Sequence, residues 1–277
     1  MDIITTNKSA GKTMKLWKWT IELLLGFVVF MVLYGMAQGL GMLPGFLLKN
    51  VCFVGASAVI LAAFMGWIRL FEKKWPLPLL AVRPLWNLSL GLGVGLAFFI
   101  LVALSLMITG TYSPSYASPD WSLLLLYFTN FLLVACGEEV IFRGIIFRCI
   151  DERYGIWLAL AVSSLLFGFA HIFQFNATLW SSIAIAIEAG LLLGAAYKYT
   201  GSLWLPIGIH WAWNFTQGNV FGFPVSGGSE DESIFKSVVE GPEWLTGGAF
   251  GPEASVITVV LGLLLSVLFI REYLKNK

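Results

Sequence analysis

Eight mostly apolar runs, each 15 to 30 residues long, recur along the 277-residue chain. They are Leu16–Leu40, Phe46–Leu70, Trp86–Thr109, Trp121–Ile150, Ile156–Phe173, Thr178–Tyr197, Leu203–Gln217 and Ala254–Ile270. A bilayer span needs about 20 such residues. Inside a bilayer every backbone N–H and C=O must be paired within the protein, so an apolar run of that length is a helix. The pattern predicts an all-α polytopic membrane protein, a bundle of about eight transmembrane helices. The fourth run is long enough to tilt or break, and the fifth and seventh are short. No internal repeat divides the chain, so residues 1–277 read as a single transmembrane domain.

Composition supports this reading. Charged residues make up only 12% of the chain and mean hydropathy is +0.83, where globular domains carry about 25% charge. A net charge of +1 excludes a strongly basic nucleic-acid binder, so no nucleic-acid partner is expected. Cys52, Cys136 and Cys149 lack metal-type spacing and sit in apolar runs, which predicts buried free thiols. The lysine-rich first 18 residues precede a long apolar run without a clear small-residue cleavage site. That run reads as a first span behind a cytoplasmic tail; a removed signal peptide fits less well.

Lysine and arginine placement predicts orientation. With eight spans and a cytoplasmic N-terminus, fourteen of the 17 cations fall inside, in the N-terminal tail, the 69–83 segment, Arg148, Arg153, Lys198 and the C-terminal end. Lys49 and Lys236 fall outside, and Arg143 lies within a span. Both termini are therefore expected in the cytoplasm. The longest polar stretch, about 218–253, carries Glu230, Asp231, Glu232, Glu240, Glu243 and Glu253 against one lysine. It reads as a solvated acidic outer loop. Within it, Ile234, Phe235, Val238 and Val239 lie near one helical face, the pattern of a short interfacial helix.

Charges inside spans are the exception that needs a reason. "ACGEEVIFRG" (Ala135 to Gly144) places Glu138, Glu139 and Arg143 in the fourth run. Three such residues at mid-membrane cost roughly 8–10 kcal/mol before pairing. Glu139 and Arg143 are four apart and share a helical face, with the carboxylate first, the favourable order. Glu138 points about 100° away and has no partner in its own turn. Taking Arg148 as the inner end, Glu138 lies about 15 Å deep at helical rise, which disfavours a simply solvated trio. Both histidines of the chain also lie in spans: His171 ends "FGFAH", and His210 begins "HWAWN", one turn before Asn214. His210 lies close to the depth of Glu138; His171 reads as too near the outer end of its span.

Two chemistries suit Glu138, His171, His210 and Asn214. In one, Glu138, His171 and His210 hold a divalent metal such as Zn²⁺, which leaves a position for water. In the other, Glu138 is a general base assisted by His171, while His210 and Asn214 donate hydrogen bonds to an oxyanion. Both end in peptide-bond hydrolysis.

At these residues the chain resembles the CAAX protease and bacteriocin-processing family of intramembrane endopeptidases. That family carries Glu-Glu-x-x-x-Arg, Phe-x-x-x-His and His-x-x-x-Asn boxes on separate helices. The matching residues are Glu138-Glu139 with Arg143, Phe167 with His171, and His210 with Asn214, in a motif-bearing core at about 121–217. The resemblance implies an eight-helix bundle with a cavity open toward the cytoplasm. It makes Glu138 the catalytic carboxylate, with His171, His210 and Asn214 completing the site and Glu139 and Arg143 supporting it. It also implies membrane lipid and a membrane-associated or lipidated protein or peptide as partners, in the plasma membrane of a bacterium. Glu188 departs from the pattern, either as a proton or cation partner of the cavity or as a structural residue. Two non-protease readings remain beside it: an immunity or partner-binding membrane protein whose charges serve packing, and a transporter.

Overall fold

The structure is a computed structural model that describes residues 16–72, 80, 82–228 and 232–276. It is a helical bundle. The first three helices are α1 (Leu16–Gln38), α2 (Phe46–Glu72) and α3 (Pro84–Ile108). A strand β1 (Tyr112–Tyr116) follows. The fourth run is one continuous rod of α4 (Trp121–Glu139), a π-helical stretch Val140–Phe147, and α5 (Arg148–Tyr154). Asp120 caps its start by accepting from the Ser122 amide at 2.8 Å, satisfying one orphan donor of the first turn. The long run thus does not break into separate helices. It absorbs the irregularity as a π stretch directly after Glu139.

Gly155, at φ +88°, turns the chain back into α6 (Ile156–Ala170), which ends in a 3₁₀ turn, His171–Phe173. Next come α7 (Leu179–Ile185), a π stretch Ala186–Gly190 and α8 (Leu191–Thr200). A further rod joins α9 (Trp204–Phe215) to a π stretch Thr216–Val220. Strand β2 (Phe235–Val239), a short α10 (Glu243–Thr246) and α11 (Val256–Lys275) complete the chain.

Among the described residues, seven helices are long and apolar enough to cross a membrane. The seventh expected run is not among them, because the α9 rod is short and sits inside the bundle. Its neighbour α3 lies against it at close range. A Cβ on Gly91 would stand 2.4 Å from the Leu205 carbonyl oxygen, and one on Gly208 would stand 2.6 Å from that of Leu88. Small residues four apart, Gly91 and Gly95, let the two backbones meet, the usual means of helix association in lipid. This contact fixes α9, and with it His210. Outward faces of α1, α2, α6 and α11 carry exposed apolar side chains such as Leu24, Val51, Leu165 and Leu264.

Two expectations about the 218–253 segment are corrected. Phe235, Val238 and Val239 belong to no interfacial helix. Phe235–Val239 forms a strand paired antiparallel with β1, Tyr116 opposite Phe235 and Tyr112 opposite Val239. β-branched and aromatic residues fit a half-buried pleated surface as well as a helical face, and the partner strand decides between them. Nor is the segment uniformly solvated. Glu253 is buried and accepts from the Ser226 amide and hydroxyl at 2.5 and 3.2 Å, and burial raises its carboxyl to about 7. Glu230 and Asp231 lie outside the described residues, as do Lys8, Lys12, Lys15, Lys73, Lys74 and Lys277 of the orientation count. The cysteines are free thiols, Cys136 and Cys149 buried and Cys52 partly so.

Candidate active site

The Gly155 hairpin resolves the apparent mismatch of His171. Glu138 stands 17 residues before that glycine and His171 stands 16 after it. Both arms are helical, so equal lengths set the two side chains at the same level. The misplacement arose from taking Arg148 as the inner end. Arg148 is buried, pairs with Glu22 of α1 at 2.9 Å and donates to the Gly144 carbonyl at 2.7 Å. The rod continues beyond it to Tyr154. Glu22, six residues into α1, was legible in the sequence as a charge within an apolar run.

Glu139 and Arg143 form the expected pair, Nη1 to Oε1 at 2.9 Å, both fully buried. Arg143 also donates from Nη2 to the Gly190 and Ala189 carbonyls at 3.1 and 3.4 Å. Those carbonyls lie at the end of the Ala186–Gly190 π stretch, where the regular bonding ladder is interrupted. The guanidinium lies 4.5 Å from the Phe167 ring centre, so one cation ties the α4 rod, α6 and the α7 rod together.

Sequence reasoning missed the partner of His210. Its Nδ1 stands 2.9 Å from Oε1 of Glu139, while its Nε2 stands 3.9 Å from Oε2 of Glu138. The adjacent carboxylates therefore flank the imidazole from both sides. His171 Nδ1 lies 2.8 Å from the Phe167 carbonyl. A carbonyl only accepts, so that nitrogen carries the proton and Nε2 bears the lone pair. The same logic puts a proton on His210 Nδ1, since an ionised carboxylate paired with arginine is an acceptor. Asn214 is buried one turn beyond His210, and its amide has no hydrogen-bond partner among the described residues.

Glu138 is the accessible carboxylate, its side chain 17% exposed where Glu139 is at 0%. It opens on a cavity of about 700 Å³ between α1, the α4 rod and α6. Phe27, Ile141, Ile146, Leu166 and Phe169 form its apolar wall, and Tyr34 and His171 stand with Glu138 at one end. A second groove of about 770 Å³, between α6, α8 and α11, contains none of these residues. Glu188 does not line the Glu138 cavity. It is fully buried, with no hydrogen-bond partner on either oxygen among the described residues, and lies within electrostatic range of Glu253.

Among the described residues, no three His, Cys, Asp or Glu side chains are already gathered tightly enough to hold a metal ion. The donor set nevertheless fits one chemically. Each histidine is anchored through Nδ1, by a carbonyl or a carboxylate, which is how metal-ligating imidazoles are oriented. Oε2 of Glu138 has no hydrogen-bond partner among the described residues.

A helical membrane bundle that buries an acid and two histidines beside an apolar cavity is defined by fold and site alone. Comparison with known proteins gives it a family. Residues 120–216 match the family described as type II CAAX prenyl endopeptidase, Rce1-like. An uncharacterized 24.3 kDa protein of Escherichia coli is 30% identical, across 58% of this chain and 77% of that relative. The uncharacterized protein YpbD of Bacillus subtilis (strain 168) is 33% identical, across 28% of this chain and 36% of its own length. The chain belongs to the Rce1-like family of type II CAAX prenyl endopeptidases, and with it to the proteases.

Proposed function

We propose that this chain is an intramembrane endopeptidase that cleaves a membrane-associated or lipidated protein or peptide at Glu138. The observation that carries this reading is the allocation of atoms around that residue. Glu138 is the one carboxylate of its pair that reaches the cavity. Its free oxygen faces His210 Nε2 at 3.9 Å, too far for a direct hydrogen bond and suited to a shared water. Water held there loses a proton to Glu138 as its oxygen attacks the peptide carbonyl. The proton passes to the leaving amine as the C–N bond breaks. Asn214 donates to the developing oxyanion, and so does His210 when Nε2 is also protonated. His171, with its lone pair on Nε2, orients the water or takes part in the proton transfer.

Glu138, His171 and His210 would also be the residues to hold Zn²⁺. A bound Zn²⁺ would supply Lewis-acid polarisation and make a water nucleophilic near neutral pH. In that version His210 Nε2 must be bare, and Glu139 serves to orient the ring. The two versions differ in a measurable way: the metal content of purified protein, and the response of cleavage to chelation and readdition.

The test is cleavage of a fluorescence-quenched farnesylated Cys-a-a-X peptide by purified protein in lipid nanodiscs. Glu138→Gln and His171→Ala are expected to abolish turnover while leaving thermal unfolding unchanged. Wild-type turnover in Glu138→Gln would refute the reading. The cation distribution supports placement with both termini in the cytoplasm of a bacterial cell, to be checked by impermeant labelling of cysteines introduced at the exposed positions Asn276 and Ser115.

A further inference from the structure

Tyr34 lies on α1, outside the 120–216 match. Its hydroxyl donates to Oε1 of Glu138 at 3.1 Å. Gln38 Nε2 in turn donates to the Tyr34 oxygen at 2.8 Å, which occupies that oxygen's acceptor side and commits the phenolic proton to the carboxylate. The ring is held by shape. A Cβ built on Gly137 would fall 2.3 Å from Tyr34 Cδ2, so only a glycine before Glu138 lets the aromatic ring pack there. Oε2 of Glu138 has no hydrogen-bond partner among the described residues and is the oxygen that faces His210, 3.9 Å from its Nε2.

We propose that Tyr34 is a positioning residue for the hydrolytic reaction: it fixes Oε1 of Glu138 and so reserves Oε2 for the water. The proposal rests on the protease reading of Glu138. It also assigns a role to α1, which meets the α4 rod twice, through Glu22 with Arg148 and, at the cavity, through Tyr34 with Glu138. A carboxylate free to rotate would spend only part of its time with an oxygen toward the water. Binding of the substrate would be unaffected.

Tyr34→Phe keeps the ring and removes the hydroxyl. With the farnesylated peptide, kcat is expected to fall roughly 10- to 100-fold, the effect of losing a hydrogen bond to a charged group. KM and the unfolding temperature should hold. Gln38→Leu, which leaves the ring and hydroxyl in place, should give a smaller loss in kcat of about threefold, as for a weaker neutral hydrogen bond. A substrate-independent measurement accompanies the kinetics. The infrared carboxylate band that disappears in Glu138→Gln should move in Tyr34→Phe. An unmoved band, or wild-type kcat in Tyr34→Phe while Glu138→Gln is dead, would overturn the role of Tyr34 alone. Turnover in Glu138→Gln would remove the protease site and this role with it.

Discussion

Oε1 of Glu139 receives two partners at the same distance, Arg143 Nη1 at 2.9 Å and His210 Nδ1 at 2.9 Å. One buried oxygen thus joins the Glu-Glu-x-x-x-Arg and His-x-x-x-Asn boxes on the α4 and α9 rods. Glu139 is therefore more than a counter-ion that lowers the insertion cost of Arg143. It holds the imidazole in the orientation that turns Nε2 toward Glu138.

This arrangement predicts how substitutions at Glu139 and Arg143 differ. Glu139→Gln keeps an acceptor of the same shape but loses the charge, and activity should fall about 10- to 100-fold, as for other residues that orient a site histidine. Arg143→Leu strands a buried carboxylate and should cost about 3–5 kcal/mol of stability. Lysine is not expected to rescue it, since the fork that reaches both Glu139 and the Gly190 carbonyl is lost. Thermal unfolding with parallel peptide cleavage separates the two effects.

The Glu22–Arg148 contact at 2.9 Å should be equally costly to break from one side. Glu22→Ala leaves Arg148 with its bonds to Gly144 and Glu152 but without its buried counter-charge, for a loss of about 3 kcal/mol, the lower end for such pairs. Because α1 carries Tyr34, catalysis should weaken together with stability, which distinguishes this variant from Tyr34→Phe.

Glu253 predicts a pH dependence outside the spans. Burial raises its folded value from 4.5 to about 7. Between those limits the unfolded chain releases the proton and the folded chain keeps it. Its contribution is fully present below about 4.5 and is lost as pH rises toward about 7, by ~3 kcal/mol at most. Unfolding temperature should fall across that window, and Glu253→Gln should flatten the fall. An equally steep profile in the variant would assign the effect to another group.

The contact between α3 and α9 predicts that Gly208→Ala is destabilising by about 1–3 kcal/mol through overpacking. The added methyl meets the Leu88 carbonyl oxygen and the Leu92 amide, neither of which can move as a side chain would. Since α9 carries His210, activity should fall with stability, and a Gly55→Ala control, open on its helix, should change neither.

The sequence alone was enough for what hydropathy and spacing dictate. Apolar runs in lipid must be helices, so the bundle and the boundaries of most rods were readable to within a few residues. The pairing of Glu139 with Arg143 followed from a separation of four. The convergence of Glu138 with the only two histidines followed from the scarcity of polar residues in spans. Beyond that convergence, contacts between segments far apart in the chain were not readable, because hydropathy carries no record of which faces meet. Glu22 with Arg148, Tyr34 with Glu138, and Glu139 with His210 each span more than 70 positions. The partner of β2 lies equally far away, so an amphipathic stretch that suits helix and strand alike was misread. Where the α4 rod ends and where Gly155 turns it set the level of His171, and only the packed structure decided that, because a helix boundary depends on what each end is buried against.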